Sequence, residues 1–202
     1  NDANSSFLYI WDLQTNTQIG NTHTVATTSS LFYHPINTPI IADFDGDNRP
    51  EIGVCGNLVF QVVEDHLTNI SGTGGTLWSI TTSDNSGQTG ASVFDFNGDG
   101  VSEVVYRDES NLRIMAGPTG TNLATFSCGS GTGGEYSVVA DIDNDGETEI
   151  VCNCSDSPGS SSAVANTRAF KSDQFPWVST RKVWNQYAYF NVNIDDDLTI
   201  PT

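Results

Sequence analysis

Short apolar runs alternate along this chain with polar stretches rich in Gly, Asn, Asp, Ser and Thr. The runs favour β-branched and aromatic residues and are bounded by turn formers, which is strand chemistry. Long amphipathic helices would want Ala, Leu, Glu and Lys, which are scarce here. The clearest runs come in pairs around three acidic stretches. Pro39–Ala42, Ala91–Phe94 and Tyr136–Ala140 precede them; Glu51–Val54, Glu103–Tyr106 and Glu149–Cys152 follow. Two further strands are expected in each unit. They are Leu58–Val62 and Thr76–Ile80 in the first, and Asn111–Met115 and Asn122–Phe126 in the second. In the third they are Thr167–Phe170 and Trp177–Thr180. The opening runs Phe7–Trp11 and Thr17–Gly20 look like the last two strands of a preceding unit.

The acidic stretches are an internal repeat. Ile41–Ile52, Val93–Val104 and Val139–Ile150 align without gaps, and their first aspartates, Asp43, Asp95 and Asp141, lie 52 and 46 residues apart. Periods in that range fit propeller blades of four short strands. The expected fold is therefore all-β: about three full β-propeller blades of four antiparallel strands plus one partial blade, a fragment of a larger ring. Residues 1–37 would close a preceding blade, and 38–90, 91–133 and 134–182 would each hold one acidic loop. Residues 183–202 would form a tail.

Numbering from the first aspartate, carboxylates occupy positions one, three, five and nine. These are Asp43, Asp45, Asp47 and Glu51 in the first loop, and Asp141, Asp143, Asp145 and Glu149 in the third. The second has Asp95, Asn97, Asp99 and Glu103. A tight turn alternating ligand with non-ligand residues aims these oxygens at one centre, as hard Ca²⁺ requires. Carbonyls at position seven (Arg49, Val101, Glu147) are natural extra ligands. Position six, Asn48, Gly100 or Gly146, suits a left-handed backbone. An EF-hand is excluded, because position twelve is Val54, Tyr106 or Cys152 where it needs Glu, and the flanks are strands. The plain alternative is a set of polar β-turns; three copies in one frame, each ending in Glu, favour three calcium sites. The proposed ligands include neither Cys nor His, which argues against zinc.

These loops resemble the FG-GAP (VCBS-like) repeats of integrin α-subunits and many bacterial surface proteins. The motif covers residues 38 to about 155. The resemblance implies calcium bound by side chains at one, three, five and nine and a carbonyl at seven. Glu at nine departs from the integrin Asp. The stretch Trp177–Tyr189, with Asp195–Pro201, is similar to tails that follow such repeats in large secreted bacterial proteins, some tied to adhesion or gliding motility. A secreted or cell-surface location follows from the resemblance.

Charge narrows the partners. With 25 acids against 7 bases the formal charge is −18, which repels nucleic acid and anionic lipid. Three bound divalent ions would bring it to about −12. No apolar stretch approaches the roughly 18 residues of a membrane-spanning helix. The chain opens at Asn1 without a basic, apolar leader, so a secretion signal is expected to be absent or already removed. The expected partners are other domains of the same protein or surface proteins, with glycans as a further class.

The leading functional expectation is a calcium-stabilised, non-catalytic module for adhesion, ligand binding or surface assembly. Alternatives are a polysaccharide lyase-like enzyme and a structural subunit of a surface filament or secretion machine. His23, His34 and His66 are isolated and read as surface or turn residues. No Gly-x-Ser-x-Gly or His-Glu-x-x-His appears. Trp11 and Trp78 read as inter-blade core before sugar platforms. Trp177, Trp184, Tyr187, Tyr189 and Phe190 read as a cap on the last blade before an interface. Cys152 and Cys154 share a strand face about 6.6 Å apart, so a bond between them is not expected. Disulfides to Cys128 or Cys55 and buried thiols both remain open.

Overall fold

The computed structural model describes residues 5–26, 36–65, 75–131, 135–155, 165–184 and 194–200. These residues form thirteen strands and no helix. Among them, no helix is long and apolar enough to cross a membrane. Strands β1 (Ser5–Asp12) and β2 (Thr17–Ala26) make a hairpin. The first repeat unit forms a four-stranded sheet of β3 (Ile40–Ala42), β4 (Glu51–Gly56), β5 (Val59–Val63) and β6 (Thr76–Thr81). The second forms another, of β7 (Ala91–Phe94), β8 (Glu103–Arg107), β9 (Asn111–Met115) and β10 (Asn122–Ser127). A three-stranded sheet follows: β11 (Val138–Ala140), β12 (Glu149–Ser155) and β13 (Ala165–Phe170). Every pairing is antiparallel between neighbours in sequence.

The four sheets stack in series, and their side chains explain why. Leu8 and Val25 of the hairpin pack on Val54, Val59 and Val63. The opposite face of that sheet, with Cys55, Phe60, Val62 and Trp78, meets Val104, Tyr106 and Met115. The far face of the second sheet, with Val105, Leu112 and Ile114, meets Val139, Ile150 and Cys152. Central strands are thus covered on both faces, and all five residues of both β5 and β8 are buried. Successive strand residues point to opposite faces. An unbroken apolar run such as Val104-Val105-Tyr106 therefore feeds two cores at once. Outer strands β10 and β13 alternate between exposed and half-buried residues.

Three expectations change. Trp177–Thr180 adds no fourth strand to the last sheet. Pro176 has no N–H to give a ladder, and the Val178 N–H goes instead to the Phe96 carbonyl at 3.0 Å. Trp11 is 49% exposed. It shares strand parity with exposed Tyr9, on the hairpin face turned away from Leu8, and its indole donates to Asn16 Oδ1. His23 is buried on β2, where its Nε2 lies 3.3 Å from Gln61 Oε1. His34 and His66 lie outside the described residues. Trp78 is core, stacked on Phe60 with centroids 5.5 Å apart.

Both open readings of the cysteines occur. Cys128 and Cys154 form a disulfide, while Cys55 and Cys152 are buried thiols.

Phe60 touches both Trp78 and Tyr106 from full burial. Phe60→Ala should cost about 3–5 kcal/mol, read as a lower denaturant midpoint with an unchanged slope.

Candidate functional site

Each acidic loop joins the first strand of a sheet to the second, so all three lie at the same end of the stack. One hydrogen-bond net recurs in all of them. The position-one carboxylate accepts backbone N–H groups from positions four and six. These are Gly46 and Asn48 on Asp43, Gly98 and Gly100 on Asp95, and Asn144 and Gly146 on Asp141. Position three accepts the N–H of position five, and position five that of position seven. Position nine reaches back across the loop. Oε2 of Glu51, Glu103 and Glu149 accepts the N–H of Phe44, Phe96 and Ile142 at 2.7, 2.8 and 3.0 Å.

The net requires a left-handed backbone at two places. Position six was expected there, and φ is 67° at Asn48, 90° at Gly100 and 91° at Gly146. Position four is the second, with φ of 83° at Gly46, 75° at Gly98 and 67° at Asn144. Sequence reading missed it, although Gly or Asn recurs at that position and is the residue class that tolerates such backbone.

The loops are tied to their surroundings and to one another. Phe44 and Phe96, at position two, are buried in neighbouring cores, whereas Ile142 is exposed. The Ser102 N–H, in the second loop, donates to the Asp43 carbonyl in the first at 3.1 Å. Gly117, in the β9–β10 turn, fits beneath them. A Cβ there would stand 2.3 Å from the Ser102 carbonyl oxygen and 2.5 Å from that of Phe44. The segment after β13 joins the second loop to the third. Trp177 packs on Phe96 at 4.6 Å between centroids. The Val178 carbonyl accepts from the Thr148 hydroxyl, and the Asp141 N–H donates to the Arg181 carbonyl at 3.2 Å. Trp177 and Trp184 both pack against the core there. Tyr187, Tyr189 and Phe190 lie outside the described residues.

Oxygens of Asp43, Asp45 and Glu51 lie within 4.8 Å of one another, as do those of Asp141, Asp143 and Glu149. Oxygens around Ca²⁺ at 2.3–2.6 Å can be no farther apart than about 5 Å, so each trio fits one common centre. Asp47 and Asp145 lie outside these trios, and the second loop has an amide at Asn97 and forms no such carboxylate trio. Oε1 of buried Glu51 lacks any partner, whereas Oε1 of buried Glu149 lacks a hydrogen bond and has only the Lys171 ammonium, at 3.6 Å. An unpaired buried carboxylate oxygen is costly. A hard cation among these oxygens would satisfy it. The donor set, all carboxylate and amide oxygen, fits such an ion.

Burial and clustering both act on the acids of these loops. Burial, and then the charges of Asp45, Asp47 and Asp43, push the Glu51 carboxyl up to about 7. Glu103 is raised by burial, with Asp99 and Asp95 adding to it. The third loop has a cation of its own. Lys171 Nζ contacts Asp145 and lies 3.1 Å from Glu147 Oε2 and 3.6 Å from Glu149 Oε1. It holds the Asp145 carboxyl below its usual range, and its own ammonium is raised in turn.

Between about pH 4.5 and 7 the folded, metal-free chain holds more protons at Glu51 than the unfolded chain does, so stability falls as pH rises through that window. Glu51→Gln keeps an acceptor for the Phe44 N–H and removes the charge. It should flatten that fall and raise chelated stability near neutral pH by on the order of 1–2 kcal/mol. Melts in EDTA across this pH range check it, and an unchanged slope would count against the account.

Residues 95–152 match the family model of the FG-GAP-like repeat. The crystal structure of the V. cholerae biofilm matrix protein Bap1 is similar in fold, with a TM-score of 0.57 at 23% identity. The match covers 75% of this chain but only 24% of that one. No curated protein matches the chain. The first loop lies outside the residues matched to the family model, although it carries the same hydrogen-bond net. The stretch from Asp95 to Cys152, which holds the second and third acidic loops and strands β8, β9 and β10 between them, is thus similar to an FG-GAP-like repeat.

Proposed function

We propose that this chain is a calcium-stabilised, non-catalytic β-propeller segment of a secreted or cell-surface protein, acting in adhesion, ligand binding or surface assembly. The observation that carries the reading is the threefold net that gathers carboxylates while leaving a buried Glu51 oxygen without a donor. The ligands are Asp43, Asp45, Asp47 and Glu51 in the first loop. Asp95, Asn97, Asp99 and Glu103 serve in the second, and Asp141, Asp143, Asp145 and Glu149 in the third. Carbonyls of Arg49, Val101 and Glu147 complete the sets. A propeller is supported by the serial stacking of sheets and by β7 touching both β3 and β11, the first strands of its neighbours. The FG-GAP-like repeat, and the likeness to a biofilm matrix protein, support the surface setting.

Calcium supplies charge neutralisation at the turns. Because it binds the folded loop and not the unfolded chain, each site adds about 2.7 kcal/mol at a hundredfold excess over Kd. For a chain of this size that corresponds to several degrees of melting temperature per site. Adding EDTA to calcium-loaded protein should lower the melting temperature by about 5 °C or more. An identical melt in EDTA and in millimolar calcium would refute the reading.

The third loop should bind more weakly than its carboxylates suggest, since Lys171 sets a positive charge against them. Lys171→Met should raise calcium affinity at that loop about three- to tenfold, discounted for partial exposure of the ammonium. Calorimetric titration of both proteins measures it.

A further inference from the structure

We propose that Cys152 makes the Cys128–Cys154 bond a thiol–disulfide exchange site, with one S–S bond shared between the pairings 128–154 and 128–152. The inference is independent of metal binding. Strand alternation brings the sulfurs together: Cys152 and Cys154 lie two apart on β12 and point to the same face, toward Cys128 just beyond the end of β10. The free Cys152 Sγ lies 3.6 Å from Cys128 Sγ and 3.7 Å from Cys154 Sγ. The three sulfurs are in mutual contact, with Cys152 Sγ beside the bond, and exchange begins when Cys152 Sγ swings into line behind Cys128 Sγ.

Exchange is the attack of a thiolate on a disulfide sulfur. Cys152 gives its proton to solvent, and its sulfur lone pair forms a bond to Cys128 Sγ. The 128–154 bond breaks, and its electron pair leaves on Cys154, which takes up a proton. Nothing is oxidised or reduced overall. Attack on Cys154 instead would join residues two apart on one strand, where extended backbone opposes closure. Only two pairings therefore interconvert, and the tie moves two residues along β12.

The surroundings favour an internal reaction over an external one. All three sulfurs are buried, so solvent thiols are kept out. Burial raises the Cys152 thiol above its usual range, while the charges of Arg107 and Arg168 act the other way. Arg107 is anchored by Glu135 at 2.7 Å and by the Asn153 carbonyl, and Arg168 by the Ser127 carbonyl at 3.0 Å. The other free thiol, Cys55, belongs to a different core and stays outside the exchange.

The test is disulfide mapping of the intact protein held at about pH 8.5, near the pKa of a free thiol, without added thiol. Samples are quenched in acid, labelled with N-ethylmaleimide under denaturing conditions, and fragmented between Cys152 and Cys154. Both linkages are expected, with label on Cys154 rising as label on Cys152 falls. Label confined to Cys152 and Cys55 at every time point overturns the proposal. Two variants sharpen the test. Cys152→Ser should hold the 128–154 bond alone. Cys154→Ser, refolded in air, should form 128–152 and keep only the Cys55 thiol; free thiols at Cys55, Cys128 and Cys152 in a folded Cys154→Ser protein would also overturn it.

Discussion

The glutamate at position nine is the constraint on which the loop end of the structure depends. It is the first residue of the second strand in each sheet, yet its Oε2 binds the N–H of position two, seven residues earlier. That bond closes the loop and fixes the register of β3 on β4, β7 on β8 and β11 on β12. It also buries a carboxylate beside several others. Burial, with the charges of Asp45, Asp47 and Asp43 added to it, is what pushes the Glu51 carboxyl up. Closure and charge concentration are one event, so a fold that needs the first must manage the second.

The packing transmits that local closure through the stack. Phe44, next to Asp43, sits in the core shared by the first two full sheets, and Phe96, next to Asp95, in the core shared with the third. A loop that opens must therefore withdraw an aromatic anchor from a core it shares with its neighbour. Direct ties reinforce this: the Ser102 N–H on the Asp43 carbonyl, and Val178 and Arg181 between the second and third loops. Stability at the turns and packing between sheets are coupled as in repeat arrays, where each unit completes its neighbour's core.

Much of this was legible in the sequence, because the loops punctuate it. With the acids in frame, the strands on either side fall where the apolar residues alternate, and β9 occupies Asn111–Met115 as expected. What escaped is long-range. His23 reads as polar and exposed until Gln61, 38 residues away, takes its ring nitrogen. Trp11 reads as core until the hairpin's parity turns it outward. The Trp177–Thr180 run has strand composition, but its backbone is spent on the Phe96 carbonyl and the Thr148 hydroxyl. Nothing local to Asp145 announces Lys171, 26 residues later. The shared face of Cys152 and Cys154 was readable, whereas their partner depended on where β10 ends.

The three loops share a backbone net but not an electrostatic state. In the first, the position-three and position-five residues are both carboxylates and Arg49 turns away to Asp65, so its charge is least balanced. The second replaces one carboxylate with Asn97, whose amide also donates to Asp99 at 2.9 Å, and so begins with less repulsion and less attraction for a cation. The third recruits Lys171. Since a bound ion gains most where like charges are otherwise unopposed, the first loop would, on the proposed reading, have the strongest drive to fill. The other two lower that drive by different means, one by an amide in place of a carboxylate and one by a lysine set among the carboxylates.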